Sequence, residues 1–489
     1  MSGIVKFQPP KLLLVTVAVS IALLLFFGLL RAIEGLARPS SPDQLVFRPE
    51  RPSPANGFNV ESGVHTPAGW SSDWLEEHYD KFMAWERNPW KQHAPRGFGD
   101  HYFELLNSKD PVDQLKAKEL LRLGEELYQK VLKRYPELAV AMREVAPERN
   151  GFLKWLELAE RFDADPNRPG DHGAKQLGIP QPLLDSLEGK VPWEAAAAKA
   201  WLASEKALLE EVKAIGLLPE QSVNGIDIDR WFFISARFGK SCSEALMLEA
   251  RLAAEEGNVA AALESVRAAR GLADHFGKVE TPTLLAITVQ ILLEMQVRNQ
   301  VVSQIIPALP AGQFDPQAWE DAVSPAPAPP AEFARVMMGE WNVTARKFLM
   351  PMLSDFEDPR YPRDPDLLID AHAGMFLFVL DSHASESPAD WVKSPKIEIP
   401  DLGYLSRSSR NVTDNLMVGS RAWSKGFVRA QHQAAITQAA FALMKGQPVP
   451  TDPIHGLPYI WDPATRQLSL PADPAFNEMQ LKPITVPRH

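Results

Sequence analysis

SEALMLEARLAAEEGNVAAALESVRAARGLADHFGK, residues Ser243–Lys278, decides how the chain is built. Apolar residues recur at helical spacing up to Glu255, and the pattern then breaks at Gly257-Asn258. Glycine can take the left-handed conformation that ends a helix, and asparagine can cap the next one. A second amphipathic run starts at once, so the two helices form an antiparallel hairpin. Ala253, Ala254, Ala260, Ala261 and Ala262 leave room for a close approach of the two helices. TPTLLAITVQILLEMQVRNQVVSQII, from Thr281, supplies a third and more apolar helix that can lie across both.

Working outward, the same pattern continues. SSDWLEEHYDKFMAWERNP opens with Ser72 or Asp73 as a cap and stops at Pro89. A second helix starts with Pro111 in its first turn, with Leu115, Leu120, Leu121, Leu127, Val131 and Leu132 as its stripe. PWEAAAAKAWLASEKALLEEVKAIG, from Pro192, reads as one strong helix ending at Gly216, with Glu205, Glu210 and Glu211 on a solvated face. Two helical regions follow Phe333, the last running from Asn411 to Gly446. After it come a turn string, DPIHG, a β-prone PYIW, a second turn, DPATR, and an alternating QLSL, which predict a small hairpin. The expected class is mainly α: an N-terminal transmembrane helix, an irregular helical bundle and a C-terminal β-hairpin.

Proline, with 43 residues, marks the boundaries. RPSSPDQLVFRPERPSP, from Arg38, is an extended tether, and SPAPAPPAEF, from Ser324, is a linker. The expected organisation is a short tail over 1–11, a transmembrane helix over 12–30, a tether over 39–70 and a helical domain over 71–310 with the hairpin layer at 243–306. A linker over 311–332, a second helical region over 333–446 and a Pro-rich tail with the β-hairpin over 447–489 complete it.

The stretch ARLAAEEGNVAAAL resembles the tetratricopeptide hairpin, in which a glycine ends the first helix and alanines line the second. No second good copy stands at a period near 34, so a regular array is not expected. The hairpin, the membrane helix and the end of the chain together resemble a group of uncharacterised membrane-anchored proteins of planctomycete and verrucomicrobial bacteria. Gly446, Pro448, Asp452, Pro453, Gly456, Pro458, Tyr459 and Trp461 carry that likeness. It implies a bacterial envelope setting and no activity. The D-P-x-x-G-x-P-Y string is also similar to the C-terminal loop of major pseudopilins, which can hold calcium. This chain differs from them in length and in lacking the processing motif.

KLLLVTVAVSIALLLFFGLLR, Lys11–Arg31, holds nineteen uncharged residues between two cations. As a helix, Leu12 to Leu30 spans roughly 28 Å, close to the hydrocarbon thickness of a bilayer. A cleavable signal has a shorter apolar region, and Gly35-Leu36-Ala37 is a poor small-x-small site. The reading is an uncleaved single-pass anchor in a bacterial inner membrane, with the body outside the cytoplasm.

The formal net charge of −11 argues against general nucleic-acid binding. The single cysteine, Cys242, excludes an intramolecular disulfide and a cysteine metal cluster. FGKSCS, from Phe238, lacks the first glycine of a phosphate loop, where Ile234 stands, and reads as a loop. Cys242 reads as a small residue at a helix boundary. Asn342 and Asn411 begin Asn-Val-Thr sequons, which matter only if the host glycosylates. The tryptophans Trp70, Trp74, Trp85 and Trp90 crowd near the membrane and read as bundle anchors.

Among the 11 histidines, the best metal candidates are Asp370 with His372 and Asp381 with His383. On one helix the two pairs lie roughly 16 Å apart along the axis, too far for one ion. No catalytic set, cofactor or metal is assigned on this basis. The expected function is a membrane-anchored, non-catalytic binding or scaffold protein. It touches the lipid bilayer through one helix and binds a protein partner whose identity the sequence does not give. The alternatives are an envelope metal-dependent hydrolase using residues 370–383, and a pseudopilin-like assembly subunit.

Overall fold

The computed structural model describes residues 98–168, 175–228, 230, 236–323, 329–358, 361–362, 365–383, 407–471 and 481–488. The span Leu12–Leu30, the tether, the helix expected after Ser72 and the four membrane-proximal tryptophans lie outside the described residues. Among the described residues no helix is long and apolar enough to cross a membrane.

The chain is mainly helical. In order the helices are α1 (Asp100–Asn107), α2 (Pro111–Arg134), α3 (Gly151–Ala164), α4 (Gln181–Leu187), α5 (Ala195–Ser204), α6 (Lys206–Gly216) and α7 (Ala236–Glu255). Then come α8 (Val259–Gly277), α9 (Leu284–Gln300), α10 (Pro316–Val323), α11 (Pro329–Val343), α12 (Met350–Ser354), α13 (Pro365–His383) and α14 (Arg407–Met444). Two compact units share them. One takes the chain up to Ala139 with Trp341–Ser382 and Lys396–Ala422; the other takes Val140–Glu340 with His383–Pro395 and Trp423–His489.

In the first unit, Asp110 caps α2 by accepting from the Val112 amide at 2.8 Å, with Pro111 in the first turn as the sequence indicates. The helix stops at Arg134 because Tyr135 precedes Pro136 and is pushed out of the helical region. Trp341 is fully buried, with the Tyr128 ring at 6.2 Å and the Phe376 ring at 5.6 Å. Asn342, at the head of one sequon, is buried as well and is closed to glycosylation in the folded chain.

In the second unit the hairpin forms as read. Gly257 sits at φ +75°, the Asn258 amide reaches back to the Ala253 carbonyl at 2.8 Å, and the Asn258 side chain caps α8 through the Ala261 amide at 3.2 Å. Thr283 caps α9, which runs on into a π-helical turn over Val301–Ile305. α7 packs against α8, α9, α5, α6 and α4. It is therefore a central helix, buried along most of its length.

Two expectations need correcting. The Gly-Lys-Ser of FGKSCS is helical, inside α7, and not a loop. Gly239 is small because its Cα faces the Phe276 ring, where a Cβ would sit 2.7 Å from the ring edge. The run from Pro192 is two helices, broken at Glu205. Both Glu205 oxygens are held by Arg168 at 2.9 Å, so this residue is a pinned corner and not part of a solvated face.

The tail forms the predicted hairpin, β1 (Ile460–Asp462) with β2 (Gln467–Ser469), in register through Trp461 and Leu468. A third strand, β3 (Ile484–Thr485), pairs antiparallel with β2 and was not foreseen. Tyr459, Leu468 and Val486 pack on Ile436, Ala439 and Ala440 of α14.

Helices α6 and α8 approach closely at Gly271. A Cβ on Gly271 would overlap the carbonyl oxygen of Gly216, which is backbone and cannot swing away. Gly271→Ala should therefore destabilise the second unit by about 2–3 kcal/mol, despite the better helix propensity of alanine. Denaturant unfolding monitored by tryptophan fluorescence checks this, and an unchanged midpoint would show that the helices part freely.

Candidate functional site

Several buried ionisable groups in both units are engaged with backbone. In the first unit the Asp358 carboxylate accepts from the Gly99 amide at 2.8 Å. In the second, Glu280 takes the Val223 amide at 3.0 Å and the Arg143 guanidinium at 2.8 Å. Glu340 accepts from the Leu284 amide at the start of α9. Lys175 donates to the carbonyls of Asp163 and Asp165, at 2.5 and 2.6 Å. Arg335 donates to the Gly277 and Val279 carbonyls, the latter at 2.7 Å. Each contact satisfies a loop or helix terminus that would otherwise be costly to bury.

The residues singled out by sequence fall into this pattern. Asp370 accepts from Tyr135 Oη at 2.7 Å and from Arg134 at 2.9 Å. His372 is fully buried, its ring 5.4 Å from Trp341 and 5.1 Å from Phe376, with Thr344 Oγ1 at 3.5 Å from its Nε2. Burial pushes its pKa down to about 3. Asp381 is exposed, and the side chain of His383 lies outside the described residues. Cys242 is buried two turns into α7, where desolvation raises its thiol well above the ordinary value and makes it unreactive.

Among the described residues, three potential metal ligands meet in one place: His432, Asp452 and His455, whose ligand atoms all lie within 4.8 Å of one another. His432 stands on α14, one turn before Ile436, on the face that carries the C-terminal module. Asp452 and His455 belong to the DPIHG turn. That turn is closed by the Asp452 amide on the Leu457 carbonyl at 2.7 Å and the Gly456 amide on the Asp452 carbonyl at 2.8 Å. The Asp452 carboxylate accepts from the Ile454 amide at 3.3 Å, the His455 amide at 3.2 Å and Tyr459 Oη at 3.1 Å. His455 Nδ1 lies 3.4 Å from Asp452 Oδ2, longer than a good N–H···O bond. The two imidazoles are 5.4 Å apart, tilted by 32°.

His432 and Asp452 are fully buried, and the His455 side chain keeps 5% of its exposure. Burial holds the His432 pKa down, at about 4, with the Asp452 charge opposing that shift and His455 adding to it. The imidazole is therefore neutral at neutral pH, the form that offers a lone pair. Burial, reinforced by the Asp452 charge, also raises the Tyr459 phenol far above its ordinary value, so it acts as a donor.

Sequence reading identified the turn through Asp452, Pro453 and Gly456 but passed over its histidine. The available signal was D-x-x-H in a turn, following a lone histidine on the apolar face of the preceding helix. No protein-family model, no curated protein and no solved structure matches the chain.

The buried titratable groups give opposite pH responses. His372, neutral and at about 3 when folded, takes up a proton near 6.5 when unfolded, so its contribution falls as the pH drops below 6.5. At pH 4.5 the loss reaches about 3 kcal/mol. Glu340, raised to about 7 by burial, is protonated in the folded chain, so its contribution is complete below 4.5 and is lost as the pH rises through 7. His372→Gln should flatten the acid limb of the first unit, and Glu340→Gln the neutral limb of the second. Urea midpoints measured from pH 4.5 to 7.5 check both. Slopes identical to the wild type would show that these groups do not change protonation on unfolding.

Proposed function

We propose that the protein is a single-pass, membrane-anchored, non-catalytic binding or scaffold protein of the bacterial cell envelope. Residues Leu12–Leu30 hold it in the bilayer, and the helical body presents a surface to a protein partner. The observation that carries the reading is the use of the buried charges. Asp358, Glu280, Lys175 and Arg335 hold loops and helix ends in place. Chemistry needs charges that converge on a substrate; fixed geometry needs them where they stand. A hydrolase working at residues 370–383 would first have to release Asp370 from its bonds to Arg134 and Tyr135.

The enclosure of α7 also bears on the partner surface. The tetratricopeptide-like hairpin contributes its α7 side to the core, so a partner meets other elements of the body. The −11 net charge favours a partner with a basic face and disfavours nucleic acid.

The test is topological. A reporter active only outside the cytoplasm, fused after His489 of the full chain, should be active, and the protein should stay with the membrane fraction at full length. Deletion of residues 12–30 should move it to the soluble fraction. Activity of a cytoplasm-only reporter would overturn the envelope reading, and a shortened product free of the membrane would overturn the anchor.

A further inference from the structure

The DPIHG turn and α14 bring together two imidazoles and one carboxylate, buried and within 4.8 Å of each other. From this geometry we propose that His432, Asp452 and His455 bind one Zn2+ ion, which clasps the C-terminal β-module to α14.

The donor set selects the ion class. Two imidazole nitrogens and one carboxylate oxygen suit a borderline divalent metal such as Zn2+, whereas Ca2+ and Mg2+ take shells made largely of oxygen. In a tetrahedral shell with bonds of 2.0–2.2 Å, neighbouring ligand atoms stand about 3.4 Å apart. Small side-chain rotations bring the three donors to that spacing from within 4.8 Å. A water or small anion fills the fourth position.

The surroundings match a metal site in a second respect. A ligating carboxylate is normally held by outer hydrogen bonds, and Asp452 receives three, from two turn amides and Tyr459 Oη. Ile454 and Tyr459 fill both acceptor sites of Oδ1, and the single bond from His455 leaves a lone pair on Oδ2 for the ion. The plain alternative is a hydrogen-bonded His–Asp pair inside a turn. The 3.4 Å separation of His455 Nδ1 from Asp452 Oδ2 is long for that role. It is ordinary for two atoms that share an ion.

The placement gives the ion a task. The module's own core is small: Tyr459, Leu468 and Val486 against Ile436, Ala439 and Ala440. A segment of this size folds stably only when something fastens it. An ion with one ligand on the helix and two in the turn joins the two ends of that core.

The experiment uses the full-length chain, purified in detergent without a histidine tag and stripped with a chelator. Titration with Zn2+ alone should load one ion per chain, and Co2+ in its place should give the visible bands of a four-coordinate site. X-ray absorption of the zinc-loaded wild type should report two imidazoles. His432→Gln and His455→Gln should each weaken binding by more than about 100-fold, beyond the 10–100-fold that loss of an outer partner costs. His101→Gln, in the other unit, should leave the affinity unchanged. A wild-type chain that takes up no Zn2+, that prefers Ca2+, or whose zinc shell lacks imidazole overturns the proposal. So does an unchanged affinity in either folded variant. The wild-type measurements decide the matter even if a variant fails to fold.

Discussion

The enclosure of α7 is the constraint on which the second unit depends. A helix covered by neighbours on nearly every side must present small or apolar residues all round and dispose of its few polar ones. Ala245, Ala250, Ala253 and Ala254 meet the first demand. Glu249 meets the second by accepting from Ser265 Oγ of α8 at 2.8 Å and from Lys213 of α6 at 2.7 Å. The hairpin is thus tied at its middle by one carboxylate and at its tip by the Gly257-Asn258 reversal. With alanine at the contacts, the backbones come close and the interface tolerates little added volume.

Buried charge follows one logic in both units. An unpaired charge inside a protein costs far more than any single contact returns, so each needs a partner whose position is already fixed. Helix ends and loop amides are such partners, because their geometry is set by the backbone. Glu280 on the Val223 amide and Asp358 on Gly99 illustrate this. Groups so engaged resist reorganisation, which suits a body that holds a shape while a partner binds.

The architecture was readable wherever local chemistry determined it. Gly257-Asn258 fixed the hairpin, Pro111 the start of α2, and the β-prone PYIW with the alternating QLSL the strand pair. Misreadings arose where a distant residue decided the outcome. Glu205 sits in a sequence of high helix propensity, and the break falls where Arg168 holds both of its carboxylate oxygens. Gly239 resembles a loop glycine, yet its role is to admit the ring of Phe276. β3 is two residues long between prolines, too short for any periodicity to show. The histidine cluster was hidden for the same reason. His432 looks like an ordinary residue on an apolar helix face until the chain has turned back to bring Asp452 and His455 against it.

In the proposed site, one short motif has both a structural and a chemical use. Asp452 organises the loop by accepting from the amides of Ile454 and His455, and that same pair of bonds aims its carboxylate at His432. Pro453 and Gly456 set the curvature that places His455 three residues on, over the same point. A turn built only to reverse the chain needs the aspartate and the glycine, and any residue would serve at 455. A nearly buried imidazole there, facing a second one across a carboxylate, carries a desolvation cost that a simple reversal does not require. In the proposed zinc site, metal–ligand bonds offset that cost.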